Sequence, residues 1–92
     1  MNDITVRHDI ARHRFETEVD GHVGYVEYAL GGGVMSINHT IVPGAIGGRG
    51  IAAKLVQAAV DFAQAEGLKI DPQCSYAEAW MRRHPEYDGL RA

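Results

Sequence analysis

A change of hydrophobic period at one glycine-rich loop constrains this chain more than any other feature. Before residue 43 apolar side chains alternate with polar ones, and after residue 50 they recur every three or four positions. The first period belongs to half-buried strands and the second to an amphipathic helix. Between them lies Pro43-Gly44-Ala45-Ile46-Gly47-Gly48-Arg49-Gly50. The loop must therefore carry the chain from a sheet into a helix lying against it.

The alternating half resolves into three strands. Phe15, Thr17 and Val19 face one way, with Glu16 and Glu18 on the other side. Asp20-Gly21 is a two-residue hairpin turn, where both positions need positive φ. The partner strand runs from His22 to Leu30, rich in Val23, Tyr25, Val26 and Tyr28. Gly31-Gly32-Gly33 makes the next turn. The third strand, Val34 to Val42, sets Met35, Ile37, His39 and Ile41 against Ser36, Asn38 and Thr40. This puts His39 on the apolar side. Pro43 ends the strand, since it cannot donate to a ladder. The first dozen residues show no clear period and include a frayed end.

The helical half opens at once. Ile51, Ala52, Leu55, Val56, Ala59, Phe62 and Ala63 form one stripe, opposite Lys54, Gln57, Asp61 and Gln64. Gly67 is a C-terminal stop. Leu68-Lys69-Ile70 follows as a short strand ended by Pro72, and the crossover length makes it a parallel neighbour of the third strand. Ser75-Tyr76-Ala77-Glu78 has the pattern of a capping box with Ser75 as the cap, opening a helix to about His84, before Pro85. The order is β-β-β-loop-α-β-α, an α+β fold in one domain over residues 1–92.

Composition narrows the function. Ninety-two residues, 46% hydrophobic and 23% charged, describe one small globular domain with a thin core. The net charge of −3 gives no basic face for nucleic acid. A single cysteine, Cys74, excludes an internal disulfide and a multi-cysteine zinc site, and the five histidines lack metal-ligand spacing. The longest charge-free stretch, Tyr28 to Gly48, is too polar and glycine-rich for a bilayer span, and the N-terminus lacks an apolar block. With one thiol and no signal, the expected setting is cytoplasmic. Oligomeric state leaves no mark in the sequence.

Few residues offer chemistry. Gly47-Gly48-Arg49-Gly50-Ile51-Ala52 brings glycines to a helix N-terminus, where free amides and the positive dipole end suit a phosphate. The plainer reading is a flexible loop and a helix start. The segment is neither a P-loop nor the dinucleotide fingerprint, since it lacks Gly-Lys-Ser/Thr and has Ala53 at the last glycine position. Cys74 beside a helix start gains from the dipole as a thiolate, or is a small half-buried hydrophobe. His39 is a candidate base or a satisfied core residue. Trp80 and Met81 read as packing, and Arg82, Arg83 and His84 as complements to the helix dipole. Tyr76 and Tyr87 are possible proton donors. Glu16, Glu18 and Glu27 suit either a cationic amine or a solvated sheet face.

Val42-Pro43 followed by Gly47-Gly48-Arg49-Gly50-Ile51-Ala52 resembles the acetyl-CoA motif of the GNAT acetyltransferase superfamily, Gln/Arg-x-x-Gly-x-Gly/Ala. With His39-Thr40-Ile41-Val42-Pro43, Gly67-Leu68-Lys69, Pro72-x-Cys74 and Arg82-Arg83-His84-Pro85-Glu86-Tyr87, the chain resembles the minimal YjdJ-like GNAT subgroup over about residues 15–87. It departs at Gly47, where the motif has Gln or Arg, and at Ser75-Tyr76, where the subgroup commonly has Pro-Phe. The resemblance implies a minimal GNAT-like fold, acetyl-CoA as co-substrate, no metal, and transfer to an amine the sequence does not identify. It implies a pyrophosphate on the amides of Gly48, Gly50 and Ile51 with Arg49 as a nearby cation. The pantetheine arm would lie along Thr40, Ile41 and Val42, where the third strand splays from the last, and the thioester would reach His39 and Cys74. Two routes follow: direct attack by the amine with His39 as base, or prior acetylation of Cys74. Set against the resemblance, the chain is expected to lack the N-terminal helices that usually build the acceptor pocket, so a non-catalytic acyl-CoA sensor or a protein-interaction module is the alternative.

Overall fold

The structure, a computed structural model, describes residues 4–92. Five strands form one sheet in the order β1-β2-β3-β4-β5, with β1 Arg7–Asp9, β2 Arg14–Val19, β3 His22–Gly31, β4 Val34–Ile41 and β5 Lys69–Pro72. The first four are antiparallel and β5 runs parallel to β4. Two helices follow β4 and β5: α1, Ile51–Glu66, and α2, Ser75–Arg82. The α+β fold and the parallel last pair match the sequence reading. Of the first dozen residues, which show no clear period, 1–3 lie outside the described residues and 7–9 form an edge strand on β2.

Turn chemistry sets the meander. Asp20 and Gly21 both hold positive φ, 52° and 78°, as a type I′ turn requires. The next hairpin turns on Gly32 and Gly33, so Gly31 completes β3.

The register of β3 and β4 then shifts. Tyr28 faces Ile37 but Glu27 faces His39, which leaves Asn38 as an extra residue, a β-bulge. One inserted residue sends every later side chain to the other face. Thr40 therefore sits opposite buried Val26 on the helix side, while His39 sits opposite Glu27 and is exposed. This corrects the expected placement of His39 on the apolar side.

Helix α1 covers the inner face. Ile51, Leu55, Val56, Ala59, Val60 and Ala63 pack on Phe15, Val26, Tyr28, Met35, Ile37 and Ile70, all buried. Burying these side chains supplies most of the driving force, at about 1.5–3 kcal/mol for each large one. The outer face is solvated and laced by Arg14–Glu27 at 3.1 Å and Arg7–Glu16 at 3.4 Å. A 3₁₀ turn, Gly44–Ile46, links β4 to α1 and anchors the loop through buried Ile46. After α2 a second 3₁₀ segment, Pro85–Leu90, returns the chain to β5, where the Ala92 N–H donates to the Ile70 carbonyl at 2.9 Å. No helix among the described residues is long and apolar enough to cross a membrane.

Candidate functional site

The site begins where two parallel strands part. Pairing of β4 with β5 runs from Val34↔Lys69 to Ile37↔Pro72 and closes with the Cys74 N–H on the Ile37 carbonyl at 3.0 Å. Strand β4 continues to Ile41, paired there only with β3. The edge of Asn38–Ile41 thus opens beside β5, where an extended ligand can pair with backbone as an added strand does. Open sheets of this kind place ligands at such carboxyl-end crevices.

Cys74 and Thr40 meet at this opening. The Thr40 Oγ1 lies 3.3 Å from the Cys74 Sγ, within hydrogen-bond reach. Cys74 is also the N-cap of α2: its sulfur accepts the Ala77 N–H at 3.3 Å. This moves the expected cap back from Ser75 by one residue. The Glu78 carboxylate does not reach the cap, because Arg91 holds both its oxygens at 3.0 and 3.1 Å and Arg82 adds a third bond at 3.2 Å. These hydrogen bonds, Arg91 first, hold the Glu78 carboxyl below the usual carboxylate range.

Beside the opening stands the start of α1. The N–H groups of residues 48–53 have no acceptor among the described residues, and Gly50, the N-cap, offers no side chain. Gly48 and Gly50 hold φ of 76° and 74°, and a Cβ at either would meet nothing within 4 Å. The result is an open cradle of amides on the positive end of a 16-residue helix. Two expected contributors stand apart from it. The Gly47 N–H is engaged with the Gly44 carbonyl at 3.1 Å, and Arg49 is paired with Asp20 at 2.8 Å. The donors therefore begin at Gly48.

A cleft of about 310 Å³ leads away from the cradle between α1 and α2. Gly50, Lys54 and Gln57 line one wall; Tyr76, Arg83 and His84 line the other. Spacings of four and three put Gly50, Lys54 and Gln57 on one face of α1, and Tyr76, Trp80 and the C-cap Arg83 on one face of α2. The His84 ring stacks on buried Trp80 at 3.8 Å, and the His84 Nδ1 lies 2.7 Å from the Trp80 carbonyl. At the far end Gln57 donates to the Tyr87 hydroxyl at 3.0 Å.

Of the residues singled out from sequence, Thr40 and Cys74 meet at the strand opening, and Gly48 to Ala52 make the approach to α1 and its first residues. Val42 is half-buried beside Gly24, Ile41 faces outward and is 45% exposed, and His39 shares that outer face. Lys54 and Arg83 were missed as partners, since one read as the polar side of a helix and the other as a dipole complement. Their shared cleft is visible only once the helices lie side by side. Among the described residues no three His, Cys, Asp or Glu side chains gather as a metal site.

The chain matches the GCN5-related N-acetyl-transferase family over residues 14–90. It is 37% identical over 86 residues to Protein NATD1 of Mus musculus, covering 89% of this chain and 77% of that protein. It is 36% identical over 90 residues to Protein NATD1 of Danio rerio, covering 91% of this chain and 81% of the relative. Its fold superposes with a TM-score of 0.77 on the solution structure of a GCN5-like putative N-acetyltransferase from Staphylococcus aureus, at 24% identity over all of this chain and 91% of the other.

Proposed function

Given that the chain belongs to the GCN5-related N-acetyltransferase family, we propose that it binds acetyl-CoA across the cradle and the β4–β5 opening and transfers the acetyl group to an amine. The observation that carries this reading is the run of unpartnered amides over residues 48–53 at the foot of an open strand edge. Those amides and the dipole of α1 hold the diphosphate, and the edge of Asn38–Ile41 pairs with the amides of the pantetheine arm. The thioester then lies near Thr40 and Cys74. The narrower likeness to the YjdJ-like subgroup, and a cytoplasmic setting for the single thiol, belong to the same reading.

In direct transfer a neutral amine attacks the thioester carbonyl. A C–N bond forms, the C–S bond breaks, the amine loses its proton and CoA leaves as the thiol. A backbone N–H of the open edge stabilises the tetrahedral oxyanion. His39 has no part as base in this route, since it stands on the opposite face of the sheet from Thr40.

The Thr40–Cys74 contact at 3.3 Å favours a second route through the thiol. Here the Cys74 sulfur takes the acetyl group, releasing CoA, and the amine takes it from the cysteine. Mass spectrometry after incubation with labelled acetyl-CoA, without acceptor, separates the two. A stoichiometric acetyl group lost in Cys74→Ser marks the covalent route, and an unlabelled chain that still binds marks direct transfer. Calorimetry that finds no uptake of acetyl-CoA at millimolar concentration overturns the whole reading.

A further inference from the structure

We infer that the cleft between α1 and α2 is a second anionic subsite, in which Lys54 and Arg83 hold the 3′-phosphate of the coenzyme and so select CoA over its 3′-dephospho form. This rests on the proposed binding of acetyl-CoA and adds to it a source of selectivity.

The argument starts from charge. The chain carries a net −3, yet the lining of this cleft includes Lys54 and Arg83 and no carboxylate. Among the described residues neither cation has an ion-pair partner. Arg49, Arg82 and Arg91, by contrast, all have carboxylate partners, at 2.8, 3.2 and 3.0 Å. Two uncommitted cations lining one cleft give it a positive local potential that favours an anion. Arg adds a planar fork suited to a phosphate, and Lys a mobile point charge.

Position then identifies the anion. The cleft begins at Gly50, the cap of the amide cradle, and ends at Gln57 and Tyr87, so it continues outward from the diphosphate. A ligand anchored on the cradle with its arm in the β4–β5 opening has its nucleoside end left to place, and the cleft is the lined volume adjoining that anchor. At about 310 Å³ it falls in the range of small-molecule sites. The His84 ring, fixed on Trp80, gives one wall a flat aromatic surface, which suits a purine and leaves the phosphate to the cations.

Calorimetry with CoA and 3′-dephospho-CoA, on the wild type and on Lys54→Ala, Arg83→Ala and the double variant, tests this directly. The expected result is at least about tenfold tighter binding of CoA by the wild type, as one or two charge-assisted contacts imply. The ratio of the two affinities falls in each single variant and approaches one in the double variant. Raising the salt concentration narrows the ratio in the wild type. Both side chains are exposed, and circular dichroism checks that each variant is folded. Equal affinities in the wild type overturn this inference and leave the acetyl-CoA reading intact. A preference that persists in the double variant overturns it as well. Failure to bind either nucleotide overturns both.

Discussion

Cys74 serves two purposes with one atom, and substitution separates them. As the N-cap of α2 its sulfur accepts one backbone N–H, a bond that serine can replace and alanine cannot. Cys74→Ser is expected to hold stability within about 0.5 kcal/mol, and Cys74→Ala to lose about 1 kcal/mol, in urea unfolding. Any acetyl-cysteine must vanish in both. Gly50 answers to different physics. Its φ of 74° makes Gly50→Ala cost about 1 kcal/mol by strain. The same variant is expected to bind acetyl-CoA more weakly than Gly44→Ala, whose Cβ also meets open space but whose φ is not in the left-handed region. Glycines are legible in a sequence because so few residues replace them, and the loop-to-helix junction with its left-handed Gly48 and Gly50 lies where the hydrophobic period changes. The engagement of the Gly47 amide by the Gly44 carbonyl was not legible, because the Gly44–Ile46 turn has no signature beyond the loop itself.

Elements reveal what alternation cannot. Met35, Ile37, His39 and Ile41 look like one uninterrupted face, and nothing in Asn38 announces a bulge. The inversion after it depends on how β4 registers with β3, a long-range property absent from local pattern. The result decides which candidates can meet: Thr40 reaches Cys74, and His39 does not share its face. Strand β1 escaped for a related reason, since one exposed and two half-buried residues at a sheet edge carry no period. The α2 cap was misread because the Ser-x-x-Glu pattern was present but its carboxylate is drawn to Arg91. Helix α1 was read almost to the residue, because burial on one face dictates its stripe. Leu55 sits fully buried at the centre of that stripe. Leu55→Ala is expected to cost about 2–5 kcal/mol. In a domain whose whole stability is of order 5–15 kcal/mol, thermal melting should show a large fall in Tm.

The molecule as a whole carries a stability window in pH, set at opposite edges of the fold. His8 stacks on Phe15 at 4.0 Å, meets Phe62 edge-on at 4.6 Å and hydrogen-bonds the Tyr28 hydroxyl. Burial lowers the His8 pKa from its ordinary 6.5, opposed by Asp9 and reinforced by His13. The same burial raises Tyr28 above its ordinary 10.0, with Asp9 adding to the shift. Both rings are thus held neutral. For His8 the unfolded chain binds the proton first, so its contribution is present above 6.5 and is lost as pH falls through the lower folded value. For Tyr28 the unfolded chain releases the proton first, so its contribution is present below 10.0 and is lost as pH rises through the higher folded value. Glu78, held low by Arg91 at the other end of the sheet, adds a separate acid limb below its ordinary 4.5. Denaturant unfolding across pH should therefore show a plateau between about 7 and 10, a first loss on acidification below about 6.5 and a second below about 4.5. His8→Gln is expected to flatten the first step and leave the second, and Glu78→Gln the reverse. If His8→Gln leaves the slope between pH 5 and 7 unchanged, the neutral imidazole is not what the aromatic cluster stabilises.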